Sequence, residues 1–415
     1  MASPYRADPS APLPPHLDPR GRHRRHGGGG GRGGARVTGY RLLGRSIGVV
    51  VSAGLLLLSG YVWLTYRSID AGVHRLKVAV NAPPSGKKDI DGSAQNILLV
   101  GIDDRTNMTA QQVKQLKVGF DGGSLATDTL MILHVPANGA KATLISLPRD
   151  SYVSIPGHGK NKLNSAYSAG YNAAGGSADQ KRTAGADVLL QTITNLTGLT
   201  INHYVQISFM GFYDISTAIG GVPVNLCHAV NDTVAYNRSI GSDGGSGLHM
   251  SAGQHVLQGV TALEFVRQRH NLPNGDLDRV RRQQYFLAAA FRKVASVGLL
   301  FKLNSLGGAI KKDVYMDPGL HLTGLATQME QLSANNIIGK TIPFEGFDNN
   351  SPVGSVEIVN PAKVQKFVQR LISDAPASKP STSTTHSSGT KTAGSGASSS
   401  SSSSKSSPLS SKCIN

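Results

Sequence analysis

The run QNILLVGI, Gln95 to Ile102, is where the fold is decided. It is apolar on both alternating faces, as a strand covered from both sides of a sheet must be. Thr129–Val135 (TLMILHV) and Ala142–Leu147 (ATLISL) repeat the pattern. Pro136–Gly139 between them is a turn signal, so these two form a hairpin. Further out, Ala184–Leu196 has helical apolar spacing that stops before Gly198. His203–Ile207 reads as a short strand, Phe209–Ile219 as a helix closed by Gly220-Gly221, and Val222–Leu226 as another strand. Thr261–Arg267 and Arg279–Ser296 read as helices. Strands interleaved with helices across residues 93–374 predict one α/β domain, an α/β sandwich.

The 415 residues carry 42 Lys+Arg against 25 Asp+Glu, a formal charge of +17. The excess is concentrated at the ends. Residues 1–45 hold nine Arg and two Asp in a Pro- and Gly-rich text, and 375–415 hold four Lys and no acid in a Ser-rich one. Both have too little apolar content to fold. The middle, 46–374, keeps 29 bases and 23 acids, only +6, so no nucleic-acid partner is expected for the domain. Residues 46–66 (SIGVVVSAGLLLLSGYVWLTY) are uncharged, with Tyr61, Trp63 and Tyr66 at one end. A cleaved signal peptide and a buried helix compete with a membrane span here. The length and the missing cleavage site favour a retained single span. Arg41 and Arg45 just before it place the N-terminus in the cytoplasm and everything after residue 67 outside, at the cell membrane. Residues 67–92 are a linker. Cys227 and Cys413, one in the domain and one in the tail, are not expected to bond to each other.

No P-loop, HExxH, CxxC or G-x-S-x-G stands in the chain. Charged residues gather instead at element ends. Asp103 follows the strand at 95–102, where ligands of α/β sheets bind. Asp128 precedes the strand at 129–135. Two such carboxylates can share Mg²⁺ with waters and phosphate oxygens. Each alone also fits an ordinary turn or cap. Arg149, after the third strand, has the planar fork that matches two phosphate oxygens, or it pairs with Asp150 on the surface. Lys162 is a point charge for a phosphate, or part of a solvated loop. The densest cluster is Glu264–His270 followed by Gly275–Gln284. There Arg267 and Arg269 alternate, and Arg279 and Gln283 stand one helical turn apart. Asp276 can cap the helix, pair with an Arg, or serve as a base. The cluster suits a diphosphate, and a charged surface helix is the plainer alternative.

These pieces, in order, resemble the LytR-CpsA-Psr family. They are NILLVGIDDR (96–105), ATDTLMILHV (126–135), ISLPRDSYVSIPG (145–157), KLNSAYSAG (162–170), LTGLTINHYVQISFMGF (196–212), IGGVPV (219–224), ALEFVRQRH (262–270) and GDLDRVRRQQ (275–284). The resemblance implies an α/β/α sandwich around a central mixed sheet, with an apolar pocket for a polyprenyl chain. It implies transfer of a glycopolymer from a polyprenyl diphosphate onto a peptidoglycan hydroxyl, with Mg²⁺ at Asp103 and Asp128. Arg149, Lys162, Arg267, Arg269, Arg279 and Gln283 match the diphosphate-binding positions, and Asp276 an acidic site position. Two features depart from the family pattern. Ala126 stands where the family commonly has Arg, and the stretch from Asp103 to Asp128 is long. A C-terminal domain found in some relatives is replaced here by the Ser-rich tail. A Mg²⁺-dependent hydrolase and a non-catalytic carrier of lipid-linked polymer are the competing functions.

Overall fold

The computed structural model describes residues 71–80, 94–105, 108–116, 125–137, 141–233, 245–296, 303–321, 337–373 and 413–415, with most of 49–68. The basic segment 1–45, most of the linker and residues 375–412 lie outside the described residues, as does part of the span at 46–66. The described residues from 49 to 61 are helical and exposed. Among the described residues no helix is long and apolar enough to cross a membrane.

Along the chain the strands are β1 (His74–Arg75), β2 (Gln95–Ile102), β3 (Thr127–Val135), β4 (Ala142–Ser146), β5 (Ser151–Ile155), β6 (Gly159–Lys162), β7 (His203–Ser208) and β8 (Val222–Leu226). They continue with β9 (Val230–Asn231), β10 (His249–Met250), β11 (Gly253–Leu257), β12 (Val314–Met316), β13 (Ile337–Thr341), β14 (Gly346–Asp348) and β15 (Val356–Ile358). The main sheet runs β1-β12-β7-β2-β3-β4-β13. β2 pairs parallel with β7 and antiparallel with β3, and β3 pairs antiparallel with β4, so the expected hairpin stands in a mixed sheet. A second sheet runs β14-β15-β5-β6.

Alternation in β2 divides the core. Leu98, Val100 and Ile102 face one side, where Leu189 and Ile193 of the helix Ala178–Thr197 and Val364 and Val368 of the helix Pro361–Ser373 cover them. Ile97 faces the other side with Leu133 and Leu144, against Leu287, Ala288 and Phe291 of the helix Asp276–Ser296. Helices therefore lie on both faces, as expected. The first helical layer is pinned by two glycines. A Cβ at Gly185 would stand 2.7 Å from the Tyr167 carbonyl oxygen, and one at Gly170 would stand 2.6 Å from that of Ala184.

Three expectations need correction. The helix expected from Ala184 begins at Ala178, because Ser177 and Gln180 form a reciprocal capping box ahead of a polar first turn. Asp128 lies within β3 rather than before it, and Asp276 opens its helix rather than preceding it.

The cysteines are also corrected: Cys227 and Cys413 form a disulfide. The bond was not expected because nothing in the tail's composition shows that its tip docks. Ile414 donates its N–H to Asn225 O and accepts from Cys227 N, so it bridges β8 in parallel. Its side chain packs on the cluster of Leu226, Phe265 and Tyr285. Arg282, 1% exposed, donates from Nε to Asn415 O at 2.5 Å and also to Gln268 Oε1.

Candidate active site

Between the second face of the sheet and the helices lies a cavity of about 1090 Å³. Its walls are apolar: Leu99, Met131, Val205, Phe212, Phe286 and Phe291 are among them. Its rim is charged. Asp103, Asp128, Arg149, Arg267, Arg269, Arg279 and Gln283, each singled out in the sequence, all line this one space. Lys162 and Asp276 are not in its wall. They stand behind it, Lys162 Nζ 3.1 Å from Asp150 Oδ1 and Asp276 Oδ1 2.7 Å from Arg279 Nη2.

The local fold explains the convergence. β2 and β3 pair so that Ile102 opposes Thr127, and Asp103 N donates to Ala126 O. The two acids thus leave neighbouring strands at one end of the sheet. Arg149 sits in the turn between β4 and β5. It reaches Asp128 Oδ1 at 2.6 Å from Nη1 and Asp150 Oδ2 at 3.3 Å from Nε. Asp150 is therefore the link between Arg149 and Lys162. Arg267 ends the helix Gly259–Arg267, and its guanidinium lies over the Phe209 ring at 5.2 Å, with Arg105 over the same ring at 6.0 Å. Gln283 donates to Val266 O at 3.2 Å, which ties two helices together at the rim.

The electrostatics are those of a site short of anions. Burial lowers the Arg279 pKa to about 10, with Arg149 repulsion adding to it. Among the described residues its buried Nε has no hydrogen-bond partner. Burial likewise lowers Arg267, helped by Arg105. Arg149 goes the other way: burial opposes its charge, but Asp128, Asp150 and Asp276 outweigh burial and raise it. Asp103 is raised by burial and by Asp128, against the forked grip of Arg105, whose Nε and Nη2 donate to its two oxygens at 2.6 Å each. A buried guanidinium with an unused donor favours an incoming anion, because the desolvation cost is already met.

Among the described residues no group of three or more His, Cys, Asp or Glu is placed to hold a metal. Asp103 and Asp128 are the two acids in the wall, and the Asp128 charge helps to raise the Asp103 carboxyl.

Two residues here escaped the sequence reading. Arg105 follows the acidic pair directly and forks onto Asp103. Its signal was the Asp-Asp-Arg text itself. Glu357 left no signal, since β15 reaches the site only by pairing with β5 across a long sequence separation. It is 4% exposed, and burial, reinforced by Asp276 and Asp150, pushes its carboxyl up to about 7.

The family model for LytR_cpsA_psr matches residues 66–371. The chain belongs to the LytR-CpsA-Psr family. A cell wall biosynthesis protein, LcpA of Corynebacterium glutamicum, is 33% identical over 357 residues, 80% of this chain and 66% of LcpA. The chain thus spans just under two thirds of that relative. A polyisoprenyl-teichoic acid–peptidoglycan teichoic acid transferase, TagU of Oceanobacillus iheyensis, is 32% identical over 282 residues, 65% of this chain and 77% of TagU. A solved Streptococcus agalactiae protein shares the fold with a TM-score of 0.54 at 20% identity, over 72% of this chain and 94% of that one. A solved Enterococcus faecalis protein, named a transcriptional regulator, has a TM-score of 0.50 at 26% identity, over 69% and 91%.

Proposed function

We propose that this protein is a membrane-anchored phosphotransferase of the cell envelope. It moves a glycopolymer from a polyprenyl-diphosphate carrier onto a peptidoglycan hydroxyl and leaves a phosphodiester. The observation that carries this reading is the junction of one deep apolar cavity with one cationic rim. A prenyl diphosphate has that same division, a long apolar chain ending in concentrated negative charge. The relatives named for cell wall biosynthesis and for teichoic acid transfer support the same reading.

The chemistry follows from the residues. The prenyl chain fills the space lined by Leu99, Met131, Phe286 and Phe291, and the diphosphate meets Arg149, Arg267, Arg269, Arg279 and Gln283. The acceptor oxygen attacks the phosphorus that carries the glycan. One P–O bond forms, the bond to the bridging oxygen breaks, and polyprenyl phosphate leaves with that electron pair while the hydroxyl proton is released. Charge on the phosphoryl oxygens is the main barrier, and fixed guanidiniums lower it by standing where that charge develops. Asp276 and Asp150 hold Arg279 and Arg149 in place. Asp103 and Asp128 suit Mg²⁺, a cation that keeps several waters and takes phosphate oxygens beside one or two carboxylates. Bound there, it would add neutralising charge to the diphosphate. The uncharged run at 46–66 would keep the cavity near the bilayer that supplies the lipid.

The test uses the full chain in detergent with Mg²⁺, a polyprenyl-diphosphate oligosaccharide and a peptidoglycan oligomer. Mass spectrometry should find the phosphodiester-linked product, and Asp128→Ala or Arg267→Ala should remove it. Free sugar phosphate without that product would make the protein a hydrolase and overturn the transfer reading.

A further inference from the structure

Glu357 is a buried charged group near the rim that the transfer chemistry does not use. It lies on β15, paired with Ser151 of β5, and its N–H donates to Asp150 O at 2.9 Å. That places its side chain beside the turn that carries Arg149 and Asp150. Four charges face it from two elements: Arg149 and Asp150 from that turn, and Asp276 and Arg279 from the helix Asp276–Ser296. Lys162, at the end of β6, reaches Asp150. Phe347, its neighbour on β14, carries no charge. Among the described residues Glu357 Oε2 has no hydrogen-bond partner although it is buried, and Ser151 Oγ beside it is also buried and unpartnered.

A buried carboxyl with an oxygen left unpartnered is costly as an anion and acceptable as an acid. Here its charge depends on what else the guanidiniums face. With the rim empty, Arg149 and Arg279 favour the carboxylate. With a diphosphate on those same guanidiniums, the carboxylate loses that attraction and meets a new repulsion from the incoming anion, so it takes a proton.

We propose that Glu357 is a positioning residue that couples anion binding to proton uptake: the rim accepts a diphosphate as the Glu357 carboxylate becomes a neutral carboxyl. The proposal rests on the anion-site reading above. Glu357 acts through Arg149 and Arg279 and does not touch the substrate. It gives the site a counter-charge when empty and withdraws it when filled. Binding of the carrier therefore weakens as pH rises through neutrality, beyond any change caused by the ligand's own ionisation.

The test is calorimetric titration of the full chain in detergent with geranylgeranyl diphosphate, in buffers of different ionisation enthalpy. Burial raises the Glu357 carboxyl to about 7 in the empty site, so at pH 7 wild type should take up a measurable fraction of a proton more than Glu357→Gln. Linkage also requires the affinity ratio to change with pH. The variant should match wild type at pH 6 and bind up to about tenfold more tightly at pH 8. Glu357→Met, which removes the charge without supplying an amide, should behave the same way and guards against a folding defect peculiar to Gln. Equal proton counts with parallel affinity curves would overturn the proposal and leave the anion site standing. No binding by wild type or variants at any pH would overturn the anion-site reading, and the proposal with it.

Discussion

The Arg149 guanidinium donates from Nη1 to Asp128 Oδ1 at 2.6 Å, which joins β3 to the turn after β4 at the mouth of the cavity. The same guanidinium also forms an ion pair with Asp150 behind it, Nε lying 3.3 Å from Oδ2 without a hydrogen bond. A lysine has a single point of charge and cannot span both.

Arg149→Lys should therefore lower kcat/KM for transfer by roughly a hundredfold, the scale of losing one oriented donor to developing charge. The net charge is unchanged, so binding of inorganic pyrophosphate should fall far less than turnover. Steady-state kinetics beside a pyrophosphate titration separates the two effects.

Filling the apolar end should act on the lipid and spare the phosphate. Ala290 lines the cavity beside Phe286 and Phe291. Ala290→Trp should raise KM for a long-chain prenyl donor about tenfold or more, since overpacking excludes chain from the space. Affinity for pyrophosphate should stay within about twofold of wild type. Loss of both affinities would mean that the diphosphate does not sit where the rim residues put it.

Glu357 also predicts how stability depends on pH. Its carboxyl is raised from 4.5 to about 7 in the fold. The folded chain therefore holds this proton more tightly than the unfolded chain. The stability that comes from it is fully present below about pH 4.5 and is lost as pH rises through 7. Glu357→Gln should accordingly melt above wild type by a margin that is small at pH 5 and largest at pH 8. Melting curves across that range, without ligand, check the sign.

The disulfide closes a loop of 186 residues, long enough that its loss should cost on the order of 5 kcal/mol. Cys227→Ser should lower Tm by several degrees and make it insensitive to dithiothreitol. Wild type should descend to the variant's Tm on reduction. A wild-type Tm unmoved by dithiothreitol, under conditions where thiol labelling confirms reduction, would show the bond to be energetically idle.

Gly185→Ala sets a methyl 2.7 Å from the Tyr167 carbonyl oxygen. Backbone cannot yield as a side-chain end does, so the cost should be about 1–3 kcal/mol. Chemical denaturation should show it as a lower midpoint with an unchanged slope.

Legibility in the sequence followed how local the signal was. QNILLVGI, TLMILHV and ATLISL announced three central strands because each is a self-contained apolar run. The rim residues were legible because strand and helix ends place them, and those ends are marked by Gly, Pro and the charges themselves. The start of the helix Ala178–Thr197 was missed because its first turns are polar and only Ser177 and Gln180 mark them. Glu357 was silent because its neighbours arrive through β5 and the helix Asp276–Ser296, both distant in sequence. The cysteine pair was misread because docking of the last residues depends on an open edge of β8 and a buried Arg282, neither visible in a Ser-rich text.

That docking changes what the Ser-rich stretch can reach. The two points that flank it, the helix Pro361–Ser373 and Cys413, are both held in the same domain. A strand moored at one end could extend on the order of 130 Å, whereas one that doubles back reaches at most about half of that. A protease that cuts once within it opens the circuit without shedding anything, because the severed piece stays held by a sulfur–sulfur bond until a reductant releases it.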